Sequence, residues 1–224
     1  MFFDPLWFII VGPTILLVIL VQVNVSSAFK QYKKRANATQ RTGAQTAREI
    51  LDAYGLNQVR VEMARGMLSD HYDPSNKTVR LSPDVYNKPS IAALGIAAHE
   101  VGHAIQDAKH YGPLALRSAV VPLAGVGSYI AFPMIIIGFI LQLTGLIWVG
   151  IALFGILVVM QLINLPVEFN ASKRAKAILV KQRMVTKSDY EGVQRVLTAA
   201  AMTYVAATLN AVAQLLYFIL IARR

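Results

Sequence analysis

His99-Glu100-Val101-Gly102-His103 is an H-E-x-x-H pentapeptide. On a helix, 3.6 residues per turn place His99 and His103 one turn apart on one face. Two imidazoles so placed can reach one zinc ion at about 2.0–2.1 Å each. Glu100 projects beside them, toward an open coordination position. A carboxylate there can take a proton from a water attacking a carbonyl and pass it to the leaving amine. The chain holds four histidines and twelve acidic residues. At that composition the pattern arises by chance in at most about 0.004 chains of this length. The plain alternative is an amphipathic helix with two incidental histidines.

A hydrolytic zinc site takes three protein ligands and a water. No histidine follows at the spacing H-E-x-x-H-x-x-G-x-x-H; after His103 the next is His110. The third ligand must come from afar. The candidate is Glu168, in Pro166-Val167-Glu168-Phe169-Asn170-Ala171-Ser172. Two apolar crossings separate it from His103 and bring the chain back to the side it left. A solvated or salt-bridged carboxylate is the other reading of Glu168. Asp189 and Glu191 read as helix-start residues at Ser188. His71 is either a substrate-contacting group or a loop histidine satisfied by Asp70 or Asp73. Gly102 costs ~1 kcal/mol against Ala inside a helix. Either it admits a close approach beside the metal or it is merely tolerated.

The elements that must position these residues alternate between apolar and polar. Of 224 residues, 55% are hydrophobic and 15% charged, against ~25% charged in ordinary soluble domains. Residues 6–25 form an apolar run long enough to cross a ~30 Å hydrocarbon core. The n-region Met1-Phe2-Phe3-Asp4 carries no Lys or Arg, so this run reads as an uncleaved transmembrane helix. Residues 26–115 form a polar block. Within it, Thr42 to Tyr54 has helical spacing with Gly55 as a stop, and Val59 to Glu62 alternates as a short strand. Residues 70–82 read as a β-hairpin about Asp73-Pro74-Ser75-Asn76. Ser90 is placed to cap a helix over 91–108 that carries the motif. Val79-Arg80-Leu81-Ser82 is either an edge strand able to pair with an extended peptide or an ordinary hairpin arm. Two further crossings are expected at 116–141 and 145–165, joined by a turn at Gln142-Leu143-Thr144-Gly145. A second polar block, 166–198, leads to a fourth crossing at 199–222.

The net charge is +10. Because the basic residues flank apolar runs, cationic loops beside anionic lipid explain it better than nucleic-acid binding. Lys30, Lys33, Lys34 and Arg35 follow the first run; the positive-inside rule puts them in the cytoplasm and the N-terminus outside. Four crossings put Arg223-Arg224 outside, against the same rule, and the larger basic blocks outvote them. The absence of cysteine excludes disulfides, iron–sulfur clusters, all-cysteine zinc sites and thiol nucleophiles. The fold class expected is mainly α: a polytopic membrane protein of about four helices with a small cytoplasmic α+β domain.

Four stretches carry a resemblance across essentially the whole chain: Leu68 to Pro74, Val79 to Pro83, Ala98 to Gln106, and Leu165 to Ser172. They resemble the bacterial YugP-type neutral zinc metallopeptidases. More distantly, the chain is similar to the HtpX and CAAX-prenyl-protease families of membrane gluzincins, which carry H-E-x-G-H and, after a pair of membrane helices, E-x-x-A-D. The resemblance implies a zincin-like domain, one zinc per chain, peptidase chemistry, and a multi-pass protein of the bacterial cell membrane acting on a peptide or membrane-protein substrate. It implies His99, His103 and Glu168 as metal ligands and Glu100 as base. Glu168-Phe169-Asn170-Ala171-Ser172 departs from E-x-x-A-D at Ser172. Serine cannot accept as aspartate does, which leaves Asn170, Asp70 or Asp73 to orient a ligand histidine.

Two other functions compete. A site-2-type intramembrane protease also uses H-E-x-x-H, but needs it in a spanning helix with an Asp-Gly partner. No Asp-Gly occurs here, and the apolar stretch Ile91 to Ile105 is too short to span. A non-enzymatic scaffold would have a vestigial site or a closed structural one, with His71, His110 or an Asp as fourth ligand. Glu100 has no use in a closed site.

Overall fold

Local capping explains several of the helix starts. Thr42 caps α3 (Gly43–Ala53), its side chain accepting from the Gln45 amide while Gln45 reaches back to the Thr42 amide. This capping box satisfies two donors that the first helical turn cannot. Gly55 ends the same helix with a positive φ of 72°, a conformation that costs residues with a Cβ about 1–2 kcal/mol. Ser90 Oγ accepts from the Ala93 amide at the start of α5 (Ile91–Ala108). The computed structural model describes residues 4–223. Arg224 and the Met1–Phe3 part of the n-region lie outside the described residues.

Two compact units emerge. The unit that bears the site comprises Val23–Tyr111 and Val167–Ala201. Its sheet contains β1 (Arg60–Met63), β2 (His71–Asp73) and β3 (Thr78–Leu81) in the order β1-β3-β2. β3 runs parallel to β1 and antiparallel to β2. The turn between β2 and β3 holds Asp73, which accepts from the Ser75 and Asn76 amides. β3 is therefore the central strand, and the edge role considered for Val79–Ser82 is corrected. Both of its edges are already paired, which its buried Val79 and Leu81 favour. A short α4 (Pro83–Asn87) leads to α5.

The core of this unit packs Ala47, Ile50 and Leu51 of α3, Val79 and Leu81 of β3, and Leu94, Ala97, Val101 and Ile105 of α5. It also takes Ala175, Ile178, Leu179, Val193 and Val196 from the second polar block. A helix apolar on every side is stable when protein surrounds it; fourteen residues of α5 are buried.

The other unit takes the described parts of Met1–Gln22, Gly112–Pro166 and Met202–Arg224. Among the described residues, four helices are long and apolar enough to cross a membrane: α2 (Gly12–Tyr32), α6 (Gly112–Ile140), α7 (Thr144–Lys181) and α8 (Lys187–Ala222). A short α1 (Pro5–Ile10), capped by Asp4, precedes them. Gln142 takes a positive φ of 55° in the turn from α6 to α7, where the Leu143 amide donates to the Gly138 carbonyl.

Three helices have bounds that differ from those of the apolar runs expected to cross the membrane. The first long helix spans 12–32 rather than 6–25, because its polar end continues the helix beyond the apolar run. α7 continues through Pro166 to Lys181, sixteen residues past residue 165. Pro166 removes one hydrogen bond, and the packed Ala175, Ile178 and Leu179 keep the helix going. α8 starts at Lys187 instead of 199. Its start is set at Thr186, not Ser188: Thr186 Oγ1 accepts from the Asp189 amide while Asp189 accepts from the Thr186 amide and hydroxyl.

Candidate metal centre

α5 presents His99 and His103 one turn apart, with ring centroids 4.8 Å apart and planes nearly perpendicular. α7 delivers Glu168 to the same point. His99 Nε2 lies 3.2 Å from His103 Nε2 and 3.2 Å from Glu168 Oε2; His103 Nε2 lies 3.6 Å from Glu168 Oε2. Donors at about 2.0–2.1 Å from a tetrahedral centre stand about 3.3 Å from one another. The three atoms thus have the spacing of one face of a zinc tetrahedron, and this is the one metal-capable group found among the described residues. Two histidines and a carboxylate suit zinc.

The approach of α5 and α7 depends on small residues. A Cβ on Gly102 would stand 2.9 Å from the Ala171 carbonyl oxygen, and Ala171 is wholly buried. Gly102 therefore serves the close approach weighed for it. The x-G-H of one motif and the x-x-A of the other are two sides of one helix contact.

The far nitrogens of both imidazoles are engaged. His99 Nδ1 lies 3.1 Å from Ser172 Oγ, and His103 Nδ1 lies 2.9 Å from Gln106 Oε1. Ser172 thus stands on a candidate ligand histidine itself, in the place where E-x-x-A-D carries a carboxylate. Gln106 Nε2 donates to the Val167 carbonyl at 2.8 Å and to Asn170 Oδ1 at 3.0 Å. Asn170 touches the group only through Gln106, and its Oδ1 also accepts from Arg174 Nε at 2.6 Å.

Glu100 is buried beside the pair. Burial pushes its carboxyl above the usual range, against the pull of the neighbouring histidines. For His103, burial works against the charged ring, but Glu168 and Glu100 outweigh it, so the ring holds its proton more tightly than usual. The rise at His103 reflects its acidic neighbours, whereas the rise at Glu100 reflects burial of its charge.

The other expected residues stand apart from this group. Asp70 accepts from the Ser82 amide at 2.7 Å and from the Ser82 hydroxyl; burial raises its carboxyl. Asp73 closes its own turn and pairs with Arg80 at 2.8 Å. The Asn76 side-chain amide and then Arg80 hold it well below the carboxylate range. The hydrogen bonds of both aspartates go to these local partners rather than to His99 or His103. His71 is exposed, its Nδ1 on the Ser69 carbonyl at 2.8 Å. His110 is exposed with a positive φ of 51° just past α5. Gln106, Ser172 and Arg174 carried no assigned role in the sequence reading. The spacing held a signal: Gln106 stands three residues past His103 and Ser172 four past Glu168, each one turn along its helix. The C-terminal end of α5 is tied to the hairpin by Asp107, which accepts from Tyr72 Oη and Lys77 Nζ, both at 2.6 Å.

Residues 7–223 match the family described as "Putative neutral zinc metallopeptidase". The chain belongs to this neutral zinc metallopeptidase family. It is also 48% identical over 200 residues to "Putative membrane protease YugP" of Bacillus subtilis (strain 168), covering 89% of each chain. No solved structure matches it. Membership of the neutral zinc metallopeptidase family implies zinc, and the geometry of His99, His103 and Glu168 is able to hold it.

Proposed function

We propose that this chain is a membrane-embedded zinc endopeptidase in which His99, His103 and Glu168 hold one zinc ion and Glu100 is the general base. The observation that carries the reading is the three-atom face of 3.2, 3.2 and 3.6 Å with a buried glutamate beside it. Bound zinc supplies Lewis acidity, polarising a peptide carbonyl and lowering the pKa of a water. Glu100 takes the proton of the attacking water and delivers it to the leaving amine nitrogen. Burial raises its carboxyl above the usual range, the direction that helps it accept a proton. Ser172 and Gln106 hold the two rings by their Nδ1 atoms. Three donors rather than four, among the described residues, favour an open hydrolytic site over a closed structural one.

The site belongs to the cytoplasmic membrane surface in this reading. The support is charge: Lys30, Lys33, Lys34 and Arg35 flank the first span, and 12 Lys and Arg stand in the first polar block. The N-terminus is then outside. α5 is not among the four candidate spans, which disfavours an intramembrane site. Substrates are peptides or membrane proteins whose segments reach that interface.

Metal analysis of detergent-purified protein tests the ligand set. About one zinc per chain is expected in wild type, lost in Glu168→Ala and kept in Asp189→Ala. Glu100→Gln should keep zinc and its melting temperature while hydrolysis of an unfolded polypeptide falls about 10²–10⁴-fold. Unchanged hydrolysis in Glu100→Gln would overturn the role of Glu100.

A further inference from the structure

The two candidate ligand histidines are held by different chemistry. Ser172 Oγ, 3.1 Å from His99 Nδ1, can both donate and accept, so it does not choose a tautomer. His103 is held by a network whose ends can act in one sense only. At one end Arg174 Nε can only donate, so the atom it meets in Asn170 is the carbonyl oxygen. At the other end the Val167 carbonyl can only accept, so the atom it meets in Gln106 is the amide nitrogen. The same nitrogen donates to Asn170 Oδ1. The remaining polar atom of Gln106, Oε1, faces His103 Nδ1 at 2.9 Å and must receive a proton from it. Nδ1 then carries the hydrogen and Nε2 presents its lone pair to the three-donor face. Gln106 is completely buried, so a reversed amide would bury two repulsive contacts without water to relieve them.

We propose that Gln106 is a positioning residue that fixes the tautomer of His103, with its own orientation set by the Val167 carbonyl and locked through Asn170 by Arg174. The proposal rests on the zinc-site reading above. It assigns His99 and His103 unequal roles: one nitrogen is set in advance by the fold, the other is free to adjust.

The test combines zinc affinity with one proton signal. Zinc affinity of detergent-purified full-length protein is measured by chelator competition for wild type, Gln106→Met, Arg174→Met and Arg174→Lys. Gln106→Met should bind zinc about 10–100-fold more weakly. Arg174→Met should lose about fivefold, one hydrogen bond's share, and Arg174→Lys, which keeps a donor, should recover most of it. In ¹⁵N-histidine-labelled protein the His103 Nδ1 proton should be protected from exchange in wild type and lose that protection in Gln106→Met. Only four histidines need assignment. Wild-type affinity together with a retained proton signal in Gln106→Met would overturn the proposal. So would a His103 ring carrying its hydrogen on Nε2 in the wild type. Should Gln106→Met fail to fold, the Arg174 pair decides: equal affinities of Arg174→Met and wild type would overturn the lock. Failure of wild type to bind zinc would sink the zinc reading instead, and the proton signal of the zinc-free protein would still decide for or against the Gln106 bond.

Discussion

The two units bury different things. The site-bearing unit buries polar chemistry: Gln106, Thr46, Thr78 and Asn37 are wholly inaccessible, and Glu100, His103 and Glu168 nearly so. Burial makes a partner valuable to such groups, and Gln106 finds three. The apolar unit has a small core about Val11, Ile135, Ile147, Ile151, Tyr217 and Phe218, and turns Leu123, Val126, Ile137, Ile140 and Val149 outward. Its helices satisfy their own backbones, which is what hydrocarbon demands, and its outward side chains suit lipid. Both units nevertheless use the same device to bring helices together. A Cβ on Gly138 would stand 2.9 Å from the Ile147 amide nitrogen. A Cβ on Gly102 would stand 2.9 Å from the Ala171 carbonyl oxygen. In one unit the close approach serves packing alone; in the other it sets the distance between a carboxylate and two imidazoles.

Substituting these glycines separates the two uses, and the largest effect is expected there. Gly102→Ala and Gly138→Ala should each destabilise by about 1–3 kcal/mol through overpacking. Gly102→Ala alone should also weaken zinc binding, since pushing α5 from α7 withdraws Glu168. Thermal melts beside chelator competition check this, and equal zinc affinity in both variants would break the contrast. A smaller effect is expected at Gly55, where nothing crowds a Cβ but the φ is 72°. Gly55→Ala should cost about 1 kcal/mol, lower the melting temperature and leave zinc affinity alone.

The smallest effect concerns surface charge in the site-bearing unit. Lys33, at 2.8 Å, and Lys88 pair with Asp84. Lys33 first, then Lys88, hold its carboxyl down at about 2, below the ordinary 3.8. A depressed carboxyl stabilises the fold above its unfolded pKa and loses that contribution as pH falls through its folded pKa. Asp84→Asn should therefore cost less than about 1 kcal/mol at neutral pH, because the pair is partly exposed. The deficit should shrink between about pH 4 and pH 2 in denaturant melts. A deficit that stays constant over that window would show that the ion pair is not its source.

What could be read in advance was what depends on near neighbours. The H-E-x-x-H spacing, the Ser90 cap, the Gly55 stop and the turn after Asp73 are all settled within a few residues. Glu168 was legible because an apolar hairpin must return the chain to its starting side. What escaped depends on partners remote in sequence. Pro166 reads as a boundary locally, yet α7 passes through it because Ala175, Ile178 and Leu179 find a core. Val79 to Leu81 reads as one arm of a hairpin, and only the pairing with β1 makes it central. The place of Ser172 beside His99 needs two helices in register, which no local pattern reports.

The donor set has a further consequence, for stability. His99 and Glu168 stand 69 positions apart along the chain, and the residues between them include all of α6 and the first half of α7. A cation shared by these two side chains is a removable crosslink closing that long loop. The unfolded chain has no such preformed site, so binding energy becomes folding energy. Free metal should then stabilise the fold by RT ln(1 + [L]/Kd) and so raise the unfolding midpoint with its concentration, and chelation should lower it without altering a single covalent bond.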